Sequence, residues 1–318
     1  MPSLEARHLT KRFGSFPALE DASFRFEGGG AIGYLGPNGA GKTTTLKLFS
    51  SLLRPTGGDA FLNGVNVTAE PKTALWGVGA IVETPEPYPA LTGRETLAMI
   101  GEFHGLAREE IRDRTERYAA ALELPPLDRR TGQLSKGQKQ RIVLAATLLP
   151  EPSVLLLDEP TSGLDPAERV IVRNLLIGLK QERRLILMSS HLLPEVTEIC
   201  DRVIFINRGK ILLEDSVDHV ATRFRVTSVE VEFAVPVDAA ALASLPGVAG
   251  VRAMSPQRFQ LSFDGSDDAR ARILEGCQKV GRVTSFSSAS LQLEDAYLSL
   301  IQGAPRTAEP APPGTGRR

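Results

Sequence analysis

Three short stretches hold residue types that could handle the phosphates of a nucleotide. In Gly36-Pro37-Asn38-Gly39-Ala40-Gly41-Lys42-Thr43, followed by Thr44, glycines are interleaved with one lysine and two hydroxyls. The glycines let backbone N–H groups turn inward to cradle phosphate oxygens, and a helix starting at the lysine adds the partial positive charge of its first turn. Lys42 would bind β- and γ-phosphate oxygens, Thr43 would give its hydroxyl to Mg²⁺, and Thr44 would contact the α-phosphate. The second stretch, Val154-Leu-Leu-Leu157, reads as a buried strand ending in Asp158-Glu159. Alone, such a pair could be a strand-end turn with solvated carboxylates. Beside a phosphate loop, Asp158 would hold Mg²⁺ directly or through water, and Glu159 would orient the attacking water or accept its proton. The third stretch is Leu134-Ser135-Lys136-Gly137-Gln138. A serine hydroxyl and the Gly137 amide at a helix start suit recognition of a γ-phosphate. Lys136 is read equally as a solvated charge or a phosphate contact, and Lys139 and Arg141 as surface residues.

These residues need strands and helices to position them. Leu4 to Glu27 reads as antiparallel strands with a turn at 14–17. Ala31–Leu35 reads as a short buried strand leading into the glycine loop and a helix over 42–53, the context that separates a phosphate loop from a chance match. Further strands are expected near 58–64 and 77–83. Residues 92–123 carry apolar residues at helical spacing, among them Leu97, Ile100, Phe103, Ile111, Tyr118 and Leu122. From Ser153, strands at 153–158, 184–189 and 203–207 alternate with helices at 166–181 and 193–200, the pattern of a parallel sheet covered by helices. After Asp218 the texture changes. A strand at 226–234, a helix at 238–245, strands at 249–254 and 257–263, a helix at 267–279 and a strand at 282–287 suggest a small ferredoxin-like α+β domain. A last helix is expected over Leu291–Ile301. Beyond Gly303 the Ala, Pro, Gly and Thr content predicts a disordered tail.

The 318 residues suit two domains, and a net charge of −1 gives no polyanion-binding surface. Cys200 and Cys277 have no metal or disulfide spacing and read as reduced cytoplasmic thiols. The N-terminus lacks the basic and apolar regions of a secretory signal. No uninterrupted apolar run reaches the ~18–20 residues of a membrane-spanning helix, so a membrane role calls for a separate partner.

The order of the three stretches resembles that of ABC-type ATPases over roughly residues 3 to 223, with Leu134–Gln138 matching the family's signature motif. The resemblance implies an α/β P-loop NTPase of cassette type: a mixed sheet, an antiparallel β-subdomain and a helical subdomain at about 85–150. The expected domains are 1–223 for the ATPase, 224–302 for the accessory domain and 303–318 for the tail. It also implies ATP and Mg²⁺ as cofactors. In this family the signature loop caps the γ-phosphate held by a second cassette, so a homodimer or paired cassette is expected. His191 matches the switch histidine that reaches the γ-phosphate, and Asp165 matches an aspartate that links cassettes. His8, His104 and His219 lie in no such context. Phe13 falls where relatives carry the aromatic platform for the base, although a core position remains the other reading; Tyr34 and Phe24 read as core. Glu83 stands where many relatives have a glutamine, and as a carboxylate it could ligate Mg²⁺ or water. The style of the signature, the Glu83 region and the short C-terminal domain resemble exporters of drugs, antibiotics or polysaccharides. The expected function is an ATP-hydrolysing subunit on the cytoplasmic face of the membrane that powers a separate permease. The alternative is a soluble ABC ATPase acting on the ribosome or DNA. Against it, residues 225–302 hold seven Lys and Arg against nine Asp and Glu, so no nucleic-acid partner is expected.

Overall fold

Alternating apolar and polar residues at the start of the chain form a long antiparallel pair, β1 (Ser3–Phe13) and β2 (Phe16–Glu27). The computed structural model describes residues 1–223 and 228–288. The chain divides into two compact units, Met1–Val220 and from Ala221 onward.

In the first unit the chain continues through β3 (Gly30–Leu35), α1 (Lys42–Phe49), β4 (Gly57–Leu62), β5 (Val65–Asn66), α2 (Pro71–Ala74) and β6 (Val78–Ile81). Helical elements follow: α3 (Gly93–Phe103), α4 (Arg108–Ala121) and α5 (Lys136–Leu148). Then β7 (Val154–Asp158), α6 (Pro166–Gln181), β8 (Leu185–Ser190), α7 (Leu193–Ile199), β9 (Arg202–Asn207) and β10 (Lys210–Ser216) lead to α8 (Val217–Arg223), which spans the boundary between the units in sequence. Two sheets result. One is antiparallel, in the order β2-β1-β4-β5; the other has the order β10-β9-β3-β8-β7-β6, parallel from β9 to β6 with β10 as an antiparallel edge. Every residue of β7 and β8 is buried, as expected of strands covered on both faces. The core between the two sheets contains Phe24, Tyr34, Leu46, Phe49, Leu156 and Leu187, with Phe24 in tilted contact with both Tyr34 and Phe49.

Sequence and structure differ in places. The helix from Lys42 stops at Phe49, because Ser50 returns its hydroxyl to the Leu46 carbonyl and Ser51 takes a positive φ of 58°. The β10 edge strand was not expected. Its burial pattern is mixed, so it lacks the apolar run that marks the interior strands.

The second unit contains β11 (Ser228–Phe233), α9 (Ala239–Ala243), β12 (Gly250–Ala253), β13 (Arg258–Ser262), α10 (Asp267–Val280) and β14 (Val283–Ser288). Its antiparallel sheet has the order β12-β13-β11-β14, the split β-α-β arrangement of ferredoxin-like folds. Val229, Val231, Phe233, Phe259 and Leu261 pack under Ile273 and Cys277 of α10. The helix expected at Leu291–Ile301 and the tail lie outside the described residues.

Candidate functional site

Parallel register decides which residues meet. Leu35 of β3 pairs with Ser190 of β8, Asp158 of β7 with Ser189 of β8, and Ile81 of β6 with Leu157 of β7. The C-terminal ends of β3, β6, β7 and β8 therefore share one edge. The segments following them, the glycine loop, Glu83, Glu159 and His191, emerge together there, where open α/β sheets bind ligands.

The glycine loop is built close against its surroundings. Gly41 has φ +111°, and a Cβ there would lie 2.5 Å from the Ala18 carbonyl oxygen, so both backbone shape and space require glycine. Pro37, Asn38 and Gly39 are exposed, whereas Gly36, Ala40 and Lys42 are buried. The Lys42 ammonium donates to the Gly36 carbonyl at 2.7 Å and to that of Pro37 at 3.3 Å. Burial lowers its pKa, against the opposing pull of Glu159 and Asp158. The start of α1 has no side-chain cap and no acid in its first turn, whereas α3, α5 and α6 each carry a reciprocal capping box. Its leading N–H groups are thus left for an anion, and a buried cation stands beside them, so the loop fits a nucleotide phosphate chain.

Asp158 is the hub of the polar contacts. Thr43 Oγ1 donates to its Oδ2 at 2.8 Å, Ser189 Oγ donates to its Oδ1 at 2.5 Å, and the Glu83 backbone N–H approaches Oδ2 at 3.4 Å. Among the described residues no group of three or more His, Cys, Asp or Glu side chains could hold a metal. One hydroxyl and one carboxylate fit Mg²⁺, which keeps waters and takes the rest of its shell from phosphates. Glu159 follows with φ +47°, and its N–H donates to the Ser189 hydroxyl at 3.0 Å. This turns Glu159 out of the strand direction, and its Oε1 lies 3.1 Å from His191 Nδ1. Thr43, Asp158, Glu159 and Ser162 line a cleft of about 290 Å³ together with Glu83, Thr84, Lys136 and Gln140.

The other expected site residues are placed as follows. Thr44 is half-buried on the first turn of α1. Phe13 is 49 % exposed with Lys11 Nζ 5.1 Å from its ring centre, which removes the core reading. The Glu83 carboxylate forms an ion pair with Lys47 rather than joining Asp158. Ser135 caps α5: its hydroxyl oxygen accepts from Gln138 N–H at 3.1 Å, and Gln138 Oε1 accepts from Ser135 N–H at 3.1 Å. The serine keeps its own O–H for donation. Arg141, expected at the surface, is 8 % exposed; it donates to the Leu122 and Glu123 carbonyls and pairs with Glu168 at 3.1 Å. The helix period hid this, because its partners come from the end of α4 and the start of α6. Ser189 and Gln140 were also missed. For Ser189 the signal was a hydroxyl at the end of an otherwise apolar strand.

The family model described as ABC transporter matches residues 19–162. The bacitracin transport ATP-binding protein BcrA of Bacillus licheniformis is 37% identical over 227 residues, 70% of this chain and 72% of that one. The chain belongs to the ABC transporter ATP-binding family. Among other relatives of the cassette, the Nod factor export ATP-binding protein I of Burkholderia lata is 35% identical across 66% of this chain and 70% of its own. The doxorubicin resistance ATP-binding protein DrrA of Mycobacterium tuberculosis H37Rv is 34% identical across 69% and 66%. A solved ATP-binding subunit of an ABC transporter superposes with a TM-score of 0.65 at 29% identity, covering 70% of this chain and 92% of that one. The cassette is therefore an ABC-type ATPase that binds ATP, and its glycine loop and Asp158-Glu159 strand end lie within the matched span.

Proposed function

We propose that the cassette is the ATPase subunit of an exporter, pairing with a second cassette to sandwich two ATP·Mg²⁺ and driving a separate membrane permease as the pair closes and opens. The observation that carries this reading is the division of the phosphate-reading groups. Lys42, Thr43, Asp158, Glu159 and His191 converge at one sheet edge, whereas the Ser135 hydroxyl is turned to its own helix start with a proton left to donate. Ser135 then serves the γ-phosphate of the partner cassette. ATP would lie on the glycine loop with its base on Phe13, Mg²⁺ would be held by Thr43 and Asp158, and Glu159 with His191 would handle the attacking water.

A permease also needs a place to dock. An apolar groove of about 330 Å³ lies between β6, α3 and α5, lined by Pro85, Tyr88, Met99, Ile100, Val143 and Ala146. Tyr88 at this groove is 66 % exposed, and large exposed apolar side chains at a groove mark interaction sites. The groove begins where the chain leaves Glu83, so an occupant would sense that segment. Among the described residues no helix is long and apolar enough to cross a membrane, so the spanning part would belong to a partner. The relative named for Nod factor export supports export as the direction, beside relatives named for bacitracin transport and doxorubicin resistance.

The test is complementation. Lys42→Ala and Ser135→Arg chains should each lack ATPase activity, and mixing them should restore part of it, because one of the two composite sites in each heterodimer is then intact. Heterodimers that form without regaining activity would refute the shared-site reading.

A further inference from the structure

The loop from Glu159 to Asp165 contains the proposed base; within it the Ser162 N–H donates to the Glu159 carbonyl at 3.0 Å and the Leu164 N–H to that of Thr161 at 3.3 Å. It is fastened at several points by side chains from other elements. At Glu159 the backbone N–H is taken by Ser189 of β8. At Thr161 the hydroxyl donates to Glu195 Oε2 of α7 at 2.5 Å. The remaining two fastenings come from α5, the helix that carries the signature. Gln140 Nε2 donates to the Pro160 carbonyl at 2.6 Å. The stem of Lys136 lies over Gly163, where a Cβ would stand 3.1 Å from its Nζ and 3.4 Å from its Cε. Gly163 has φ +77°, a backbone shape that favours glycine. Behind these contacts the Arg141–Glu168 pair joins α5 to the first turn of α6.

We propose that Gln140 is a positioning residue for Glu159: its amide fixes the carbonyl one residue beyond the base, and so holds the base loop of one ATP site against the helix whose start serves the other. This rests on Glu159 acting as the base and on Ser135 serving the partner. The physical argument is geometric. Glu159 sits at φ +47°, a conformation that an L-residue keeps only when its surroundings impose it. The Pro160 peptide is the next lever along the chain, and Gln140 is the side chain that grips it. Releasing that grip lets the strained turn relax, and a base displaced by about 1 Å costs on the order of a hundredfold in rate. Lys136 fills the space over Gly163 and limits the same loop farther on. The two ATP sites of a pair are then linked within each chain, through α5, without a conformational change in the sheet.

The experiment uses the full chain with Gln140→Leu, which keeps bulk and removes the donor, and Gln140→Glu, which keeps size and polarity but presents a carboxylate to the carbonyl. Amide hydrogen exchange of the nucleotide-free protein should quicken over 159–165 in both variants and stay unchanged in α1. Turnover should fall about tenfold to a hundredfold, with KM for ATP within about twofold of the parent. ATP-driven dimerisation in a Glu159→Gln background should survive. Unchanged exchange over 159–165 would overturn the proposal, as would unchanged turnover. Loss of ATP-driven dimerisation would also overturn it, placing Gln140 with the signature's phosphate contact. Normal turnover by Glu159→Gln alone would remove the base assignment instead, and the exchange result would still judge the fastening separately.

Discussion

Lys47 of α1 and Glu83, the residue that follows β6 after Val82, form an ion pair, while the backbone N–H of Glu83 approaches Asp158 Oδ2 at 3.4 Å. The carboxylate at this position is thus engaged by a cation of the same chain, and the main chain, held at φ +63°, makes the contact with Asp158. The pair is partly exposed, at 25 % and 63 %, so it contributes little to stability, about 0–1 kcal/mol. Its effect is on where the charge of Glu83 can go.

Lys47→Met should release that carboxylate to the cleft and lower the Mg²⁺ concentration needed for half-maximal turnover at fixed ATP. The double variant Lys47→Met, Glu83→Gln should return it to the parent value. A Mg²⁺ titration that is superimposable for all three proteins would show that Glu83 does not reach the metal.

Glu159→Gln should retain ATP binding, lose about 10²–10⁴-fold in turnover, and accumulate as a dimer with ATP·Mg²⁺ on size exclusion. His191→Ala should also impair turnover, since its ring lies 3.1 Å from the same carboxylate. Turnover above about half the parent rate in Glu159→Gln would rule out its role as the base.

Lys42→Met should raise the stability of the nucleotide-free protein while abolishing ATP binding. Burial lowers the lysine's pKa despite two nearby carboxylates, so an apolar side chain of similar length suits the folded state better. A gain of about 1 kcal/mol is expected, or a rise in melting midpoint of roughly 2–4 °C for a unit of this size. A lower midpoint would mean that the two carbonyl bonds outweigh the desolvation.

Cys277 supplies a pH dependence. Burial in the second unit pushes its thiol up to about 11, whereas an unfolded cysteine titrates near about 8.5. Between those values the folded state holds the proton and the unfolded state has lost it, so stability is full below about 8.5 and declines as pH rises toward about 11. Cys200 is also buried, and its thiol is raised further in the same direction. Alkylation at pH 8 should be slow for both until the protein unfolds. Rapid labelling of the native protein would contradict the burial.

The site was legible where chemistry is local in sequence. Gly36 to Thr44 and Val154 to Glu159 each contain, in one run, both the reactive groups and the strand or helix that presents them. Contacts between segments were not legible. Nothing near Gln140 names Pro160 as its partner, and nothing near Arg141 names Leu122, Glu123 and Glu168 as its partners. Glu83 was visible as a carboxylate, but its pairing with Lys47 depends on how β6 ends beside α1. In the second unit, the alternation of Phe259 and Leu261 with Arg258 and Gln260 gave the strand and its buried face, while the strand order awaited the structure.

The uncapped start of α1 gives the catalytic cycle a second meaning. Losing an N-cap costs a helix about 0.5–2 kcal/mol, and on the proposed reading the cap would be the phosphate chain of the substrate itself. Each binding event would then complete the order of a helix, and each release would leave its first turn to water, so turnover would include a small reversible folding step. Because Lys47 stands near the end of that helix and pairs with Glu83, the completeness of α1 would be passed to the segment that leads to the apolar groove. A permease seated there would feel whether ATP is present as a change in firmness before any domain moves.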